Sequence, residues 1–247
     1  AVVALLREAG AGPNRSDRRG MTALQTSAQN HHEDVGRSLL DAGAIANATN
    51  RSGESPLFLA IAQRQSKLVP ALLNHGADHE SVMTNGMTAL GFAASLGYEL
   101  VVQALLSEGA EVNATDPRGR SPLGLAASRG NVATVERLLA AGAKLSPVPA
   151  GEKSHLIAAL EAQHTTVALA LLEAGADSTA SNRRGDSALK IAAETGSLEV
   201  VEKLIELEAH RVAEAGDRAL RAVLLKLDKL ARRRSEEHTS ELQSHLN

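Results

Sequence analysis

A leucine recurs every 33 residues along this chain: Leu24, Leu57, Leu90, Leu123, Leu156 and Leu189. The dipeptide Gly-Ala keeps the same step, from Gly10-Ala11 through Gly43-Ala44, Gly76-Ala77, Gly109-Ala110 and Gly142-Ala143 to Gly175-Ala176. Two residues before each leucine stands a hydroxyl, in order Thr22, Ser55, Thr88, Ser121, Ser154 and Ser187. A fixed period of this length marks a repeat array. Each unit is too small to bury its own apolar face and must be covered by its neighbours. The period overrides the one or two globular domains that a length of 247 residues would otherwise suggest.

The unit beginning at Asp116 shows the physical logic. Asp116 to Gly119, "DPRG", is a turn: Asp bonds its own backbone two residues on, Pro fixes φ, and Gly accepts a positive φ. Ser121 is the expected N-cap of a first helix, with Pro122 at the first helical position, where its missing N–H does no harm. Gly130 is expected to be left-handed and to end that helix. Val132, Val135, Leu138 and Leu139 then make one apolar stripe on a second helix, which Gly142 ends. The chain has no Trp, one Tyr and two Phe, so the core must be Ala, Leu, Val and Ile, which suits closely packed helices.

The pattern D-x-x-G-x-T-P-L-x-x-A-A-x-x-G followed by V-x-x-L-L-x-x-G-A resembles the ankyrin repeat, over about residues 1–212, as one half unit and six full ones. The resemblance implies an all-α solenoid of helix-turn-helix units with projecting hairpin loops, stacked into a curve. It implies a protein–protein interaction module with no cofactor.

Departures from the pattern mark two units as soft, 50–82 and 147–179. The residue between helices is Gly97, Gly130 or Gly196 in three units but His31, Arg64 and Gln163 in the others. A non-glycine residue there costs about 1 kcal/mol. Pro70 is read as lying inside a second helix, past the tolerated first turn. The turn at 149–152 has lost its glycine to Glu152, and His155 replaces the helix-start proline.

After residue 207 the period stops, because Glu208-Ala209 stands where Gly-Ala should be, so the last second helix is expected to run on to about Gly216. Residues 213–233 are assigned to an amphipathic C-terminal helix, with Asp217 as N-cap and Leu220, Val223, Leu224, Leu227 and Leu230 on one face. It is expected to cap the open end of the stack. Arg234 to His245 resembles the translation of a sequencing adapter, and 234–247 is set aside as a polar, disordered tail. Because the chain opens on Ala1 in the second half of a unit, it is expected to be a piece of a longer protein.

Candidate sites divide by chemistry. His31-His32 and the pair His75 and His79 suggest metal ligands, but no third ligand recurs beside them and a loop breaks the second pair. Ser121, Thr22 and their equivalents recur in every unit, which suits caps rather than a nucleophile. No metal, cofactor or catalytic residue is assigned. Arginines gather at the hairpin tips: Arg15, Arg18 and Arg19, then Arg51, then Arg118 and Arg120, then Arg183 and Arg184. Such tips would line one ridge and could hold an acidic or phosphorylated segment, since guanidinium forks pair well with carboxylate and phosphate. The neutral tips at Thr84-Asn85 and Ala150-Gly151 interrupt it.

A second variable surface is the end of each first helix: Gln29-Asn30, Ala62-Gln63, Ser95-Leu96, Ser128-Arg129, Glu161-Ala162 and Glu194-Thr195. Leu96, expected to be exposed beside Phe92, is its apolar anchor, and Arg129 its cation. The expected function is a monomeric protein-binding module. The alternative is a regulatory or targeting segment of a larger enzyme, channel or membrane-associated protein. The net charge of −3 and the scarcity of stacking aromatics argue against nucleic acid. The absence of cysteine suits a reducing compartment, so a cytoplasmic or nuclear place is expected.

Overall fold

The computed structural model describes residues 12–145 and 154–214. The half unit at 1–11, the turn of the fifth hairpin, the helix assigned at 217–233 and the tail at 234–247 lie outside them. Among the described residues there are twelve helices in six pairs. The pairs are α1 (Ala23–Gln29) with α2 (Glu33–Asp41), α3 (Pro56–Ala62) with α4 (Leu68–Asn74), and α5 (Ala89–Leu96) with α6 (Glu99–Ser107). They continue with α7 (Pro122–Ala127) and α8 (Val132–Ala140), α9 (His155–Glu161) and α10 (Thr165–Glu173), and α11 (Ala188–Glu194) and α12 (Leu198–Glu214).

Every first helix starts on its predicted cap. The hydroxyls of Thr22, Ser55, Thr88, Ser121, Ser154 and Ser187 each accept the backbone N–H three residues on. Each such cap stabilises a helix of six to eight residues by about 1 kcal/mol, which matters because helices this short are marginal alone. The turns into the second helices hold His31, Arg64 and Gln163 at φ 61°, 57° and 61°, the left-handed conformation that Gly97, Gly130 and Gly196 occupy elsewhere.

Among the described residues, the helices pack chiefly against their neighbours in the array. Each helix touches its pair partner and its counterpart one unit away on either side. The recurring leucine is buried at Leu24, Leu57, Leu90, Leu123 and Leu156, but Leu189 in the last described unit is 37 % exposed. The hairpins contribute three isolated antiparallel bridges, Ser16 to Thr22, Val82 to Thr88 and Ser181 to Ser187, and no longer strand is present among the described residues. The fold is the all-α solenoid that the resemblance implied.

Side chains also bridge one unit to the next. Asn14, Asn47, Glu80 and Asn113 each accept a backbone N–H from the following hairpin, from Ile45, Asp78, Glu111 and Lys144 at 2.8–2.9 Å. Gln25 is fully buried and fully used: it accepts from the Thr22 N–H at 2.9 Å and donates to the carbonyls of Ala48 and Glu54 at 2.9 and 2.8 Å.

Pro70 departs from the expectation. Helix α4 starts at Leu68, whereas the other second helices start two residues earlier in the period, so Pro70 falls in its first turn. There its absent N–H is one of the groups no helical carbonyl reaches, and the helix shortens instead of breaking inside. The last helix runs on as anticipated, with α12 reaching Glu214.

Candidate partner-binding surface

Each described hairpin tip is built around one polar side chain. Asp17 Oδ1 accepts the N–H groups of Arg19 and Met21 at 2.8 and 2.9 Å. Asn50, Asp116 and Asn182 do the same two and four residues on in their own hairpins. Met83 cannot, and Asn85 takes the Met87 N–H instead. These bonds turn the intervening Arg18, Arg19, Arg51, Arg118, Arg183 and Arg184 outward, and all six are exposed, as is Arg15 just before the first tip. The Met21 N–H, helped by Arg19 and Arg51, holds the Asp17 carboxyl below its ordinary range.

The tips touch. Arg51 donates its backbone N–H to the Arg19 carbonyl at 3.2 Å. A Cβ on Gly53 would meet Thr84 at 3.0 Å, and one on Gly86 would overlap the Pro117 ring. The first four described hairpins therefore form one continuous ridge. Arg118 stands beyond the neutral Thr84-Asn85 tip, separated from the cluster of Arg15, Arg18, Arg19 and Arg51.

Arg120 is turned back into its own hairpin. Its Nε and Nη2 lie 2.8 and 2.6 Å from Asp116 Oδ2. Burial pushes the Asp116 carboxyl up, but hydrogen bonds from Arg120 and Arg118 outweigh it and hold it below the usual value. Arg120 is thus neutralised within the hairpin, and the outward cations are its neighbours.

On the helix ends, Gln29, Asn30, Arg129, Glu161 and Glu194 are exposed. Leu96 and Phe92 are half-buried and packed against the core, not exposed. The Phe92 ring lies 6.4 Å from that of Phe58. This surface offers the edges of two apolar side chains rather than a projecting anchor.

The histidines have local partners: His75 Nε2 lies 3.6 Å from Asp41, and His79 Nε2 lies 3.8 Å from Glu80. Among the described residues, no three His, Asp or Glu side chains gather around a common point.

One pairing was missed at the level of sequence. His155 Nε2 lies 3.0 Å from Ser121 Oγ, which brings a serine and a base together. The same Oγ accepts the Gly124 N–H at 3.1 Å, as its role of cap requires. The ring is buried, and no third group meets hydrogen-bond geometry at its Nδ1, so nothing orients it as a base. The signal was present in the period: 34 residues separate the two, one unit plus one position.

The comparisons agree with this geometry. A model of ankyrin repeats in three copies matches residues 1–83 and 68–149. The crystal structure of the ankyrin repeat domain of Bcl-3, described as a unique member of the IkappaB protein family, superposes with a TM-score of 0.68 at 30 % identity. That match covers 82 % of this chain and 90 % of the other. No curated protein matches the sequence. No helix among the described residues is long and apolar enough to cross a membrane.

Proposed function

This chain belongs to the ankyrin repeat family, whose members are protein–protein interaction modules, and we propose that it holds an anionic segment of a partner along its hairpin ridge. The observation that carries the reading is the contact between tips, which fixes Arg18, Arg19 and Arg51 side by side on a backbone that does not need them for its own fold. Arg118 extends the surface past one neutral tip. Guanidinium groups recognise carboxylates and phosphates by paired hydrogen bonds, so acidic and phosphorylated segments are the matching chemistry. The exposed helix ends, Arg129 among them, would contact whatever the partner presents on the concave side. We read the module as non-catalytic, because the Ser121–His155 pair is a buried cap contact.

The test is fluorescence anisotropy of the full chain with a labelled peptide rich in phosphoserine and glutamate. A peptide with glutamate alone separates the two sources of charge, and a neutral serine–glutamine version is the control. Binding should weaken with added salt and fall at least about ten-fold when Arg18, Arg19, Arg51 and Arg118 are changed to Ala, roughly one lost charge-assisted hydrogen bond. Equal binding of the neutral peptide, or unchanged binding by the four-fold variant, would overturn the reading.

A further inference from the structure

We propose that His155 makes the joint between the fourth and fifth helix pairs sensitive to pH, so that a proton taken up by its ring unseats α9 from α7. The position is the first residue of a first helix, and the other units place Ala23, Pro56, Ala89, Pro122 and Ala188 there, none of which can titrate. In this unit alone the interface carries an imidazole, and it is only 8 % exposed.

The seat is built for a neutral ring. A Cβ on Gly124 would lie 3.1 Å from the ring Cδ2, so the imidazole fills space that the small residue on α7 leaves open. Nε2 faces the Ser121 hydroxyl, whose oxygen already accepts the Gly124 N–H and can donate its own proton to the ring. Nδ1 is buried without a hydrogen-bond partner; the Leu145 carbonyl is near the ring but outside hydrogen-bond geometry. An imidazolium needs an acceptor at each nitrogen and a counter-charge; Ser121 Oγ can serve only Nε2, and Nδ1 is left without an acceptor in hydrogen-bond geometry.

Among the described residues, the surrounding elements bring no compensating charge to the ring. Helix α7 carries no titratable side chain. Asp116 and Arg120, in the hairpin leading to it, are paired with each other. On α11, Lys190 is bound to Asp186 and near Glu194. Glu161 ends α9, Glu173 ends α10, and His164 precedes α10 against Gly130. Lys144 precedes Leu145. Burial is the main influence on the ring and pushes its pKa below 6.5, with the Leu145 carbonyl pulling weakly the other way. The sign follows: stability at this joint is present above the ordinary histidine value and is lost as pH falls below it, because the opened state binds a proton that the seated state does not.

The test uses the full chain and amide exchange at pH 7.5 and 5.5, corrected for the intrinsic dependence of exchange on pH. In the wild type, protection of α9 and α10 should fall by up to about ten-fold at the lower pH, while α3 to α6 change little. His155→Pro, which restores the residue found at Pro56 and Pro122, should abolish the selective loss. His155→Ala carries the same comparison if the proline variant does not fold. The proposal is overturned by an equal loss in these variants, by a loss spread evenly along the array, or by a His155 ring that titrates near 6.5 in NMR spectra of the folded chain.

Discussion

The Arg64 guanidinium carbon sits 4.6 Å above the centre of the Tyr98 ring, one unit further along, and its Nε donates to the Tyr98 hydroxyl. Arg64 also holds φ at 57°, the conformation that Gly97, Gly130 and Gly196 take in three other units. The contact offsets a backbone cost: stacking of an exposed cation on an aromatic face contributes about 0.5–1 kcal/mol, against about 1 kcal/mol for the left-handed residue.

Arg64→Gly should therefore leave stability nearly unchanged in the wild type. In a Tyr98→Ala background the same change should stabilise by about 1 kcal/mol, since only the backbone cost remains to be relieved. Urea denaturation of the four proteins closes the cycle. Equal effects in both backgrounds would show that Arg64 and Tyr98 are not coupled.

Gln25→Leu keeps the volume and removes every side-chain hydrogen bond that Gln25 makes, while its backbone N–H still reaches the Thr22 cap. It leaves the Thr22 N–H and the carbonyls of Ala48 and Glu54 without that partner at the joint between the first two described units. The Glu54 carbonyl keeps the Asn50 N–H and both carbonyls are only part-buried, so the cost falls mainly on the Thr22 N–H and the Ala48 carbonyl; at about 1–2 kcal/mol each, a loss of about 2–4 kcal/mol is expected, read as lower urea resistance and lost amide protection in α1 and α2.

Asp116→Asn tests the pair with Arg120 alone, because Asn50 and Asn182 show that asparagine can build the same turn. The folded carboxyl titrates below its ordinary 3.8, so the wild-type contribution is present above that value and is lost as pH falls below it. The variant should lose about 1 kcal/mol at pH 7 and show a shallower fall in thermal midpoint between pH 5 and pH 2.5.

Removing 217–233 should lower the thermal midpoint by about 2–4 °C for each kcal/mol of capping lost, and should promote aggregation. The motive is the last described unit, where Leu189 is 37 % exposed while Leu24, Leu57, Leu90, Leu123 and Leu156 at the same place in the period are buried. An unchanged midpoint and an unchanged solubility would assign the segment to a partner instead.

The sequence was a good guide wherever one residue type performs one local task. Cap hydroxyls, tip aspartates and left-handed turns are settled within a few residues, and Ser121, Asp17 and Arg64 could each be read from their own neighbours. Contacts between units were less legible. The period says which positions face one another, but not that Gln25 finds two carbonyls in the next unit or that His155 meets Ser121. Arg120 was read as an outward cation because tip position alone does not reveal the ion pair four residues back. Pro70 was misjudged for a related reason: a helix can forgo its first two residues, and period alone fixes neither end.

The glycines of the tips have a further bearing. Because a single added carbon at Gly86 would collide with the Pro117 ring, the close approach of these two neighbouring loops depends on a missing side chain in one and a compact ring in the next. Letters at the crest can be rewritten freely only where, unlike Gly86 and Pro117, they take no part in that spacing.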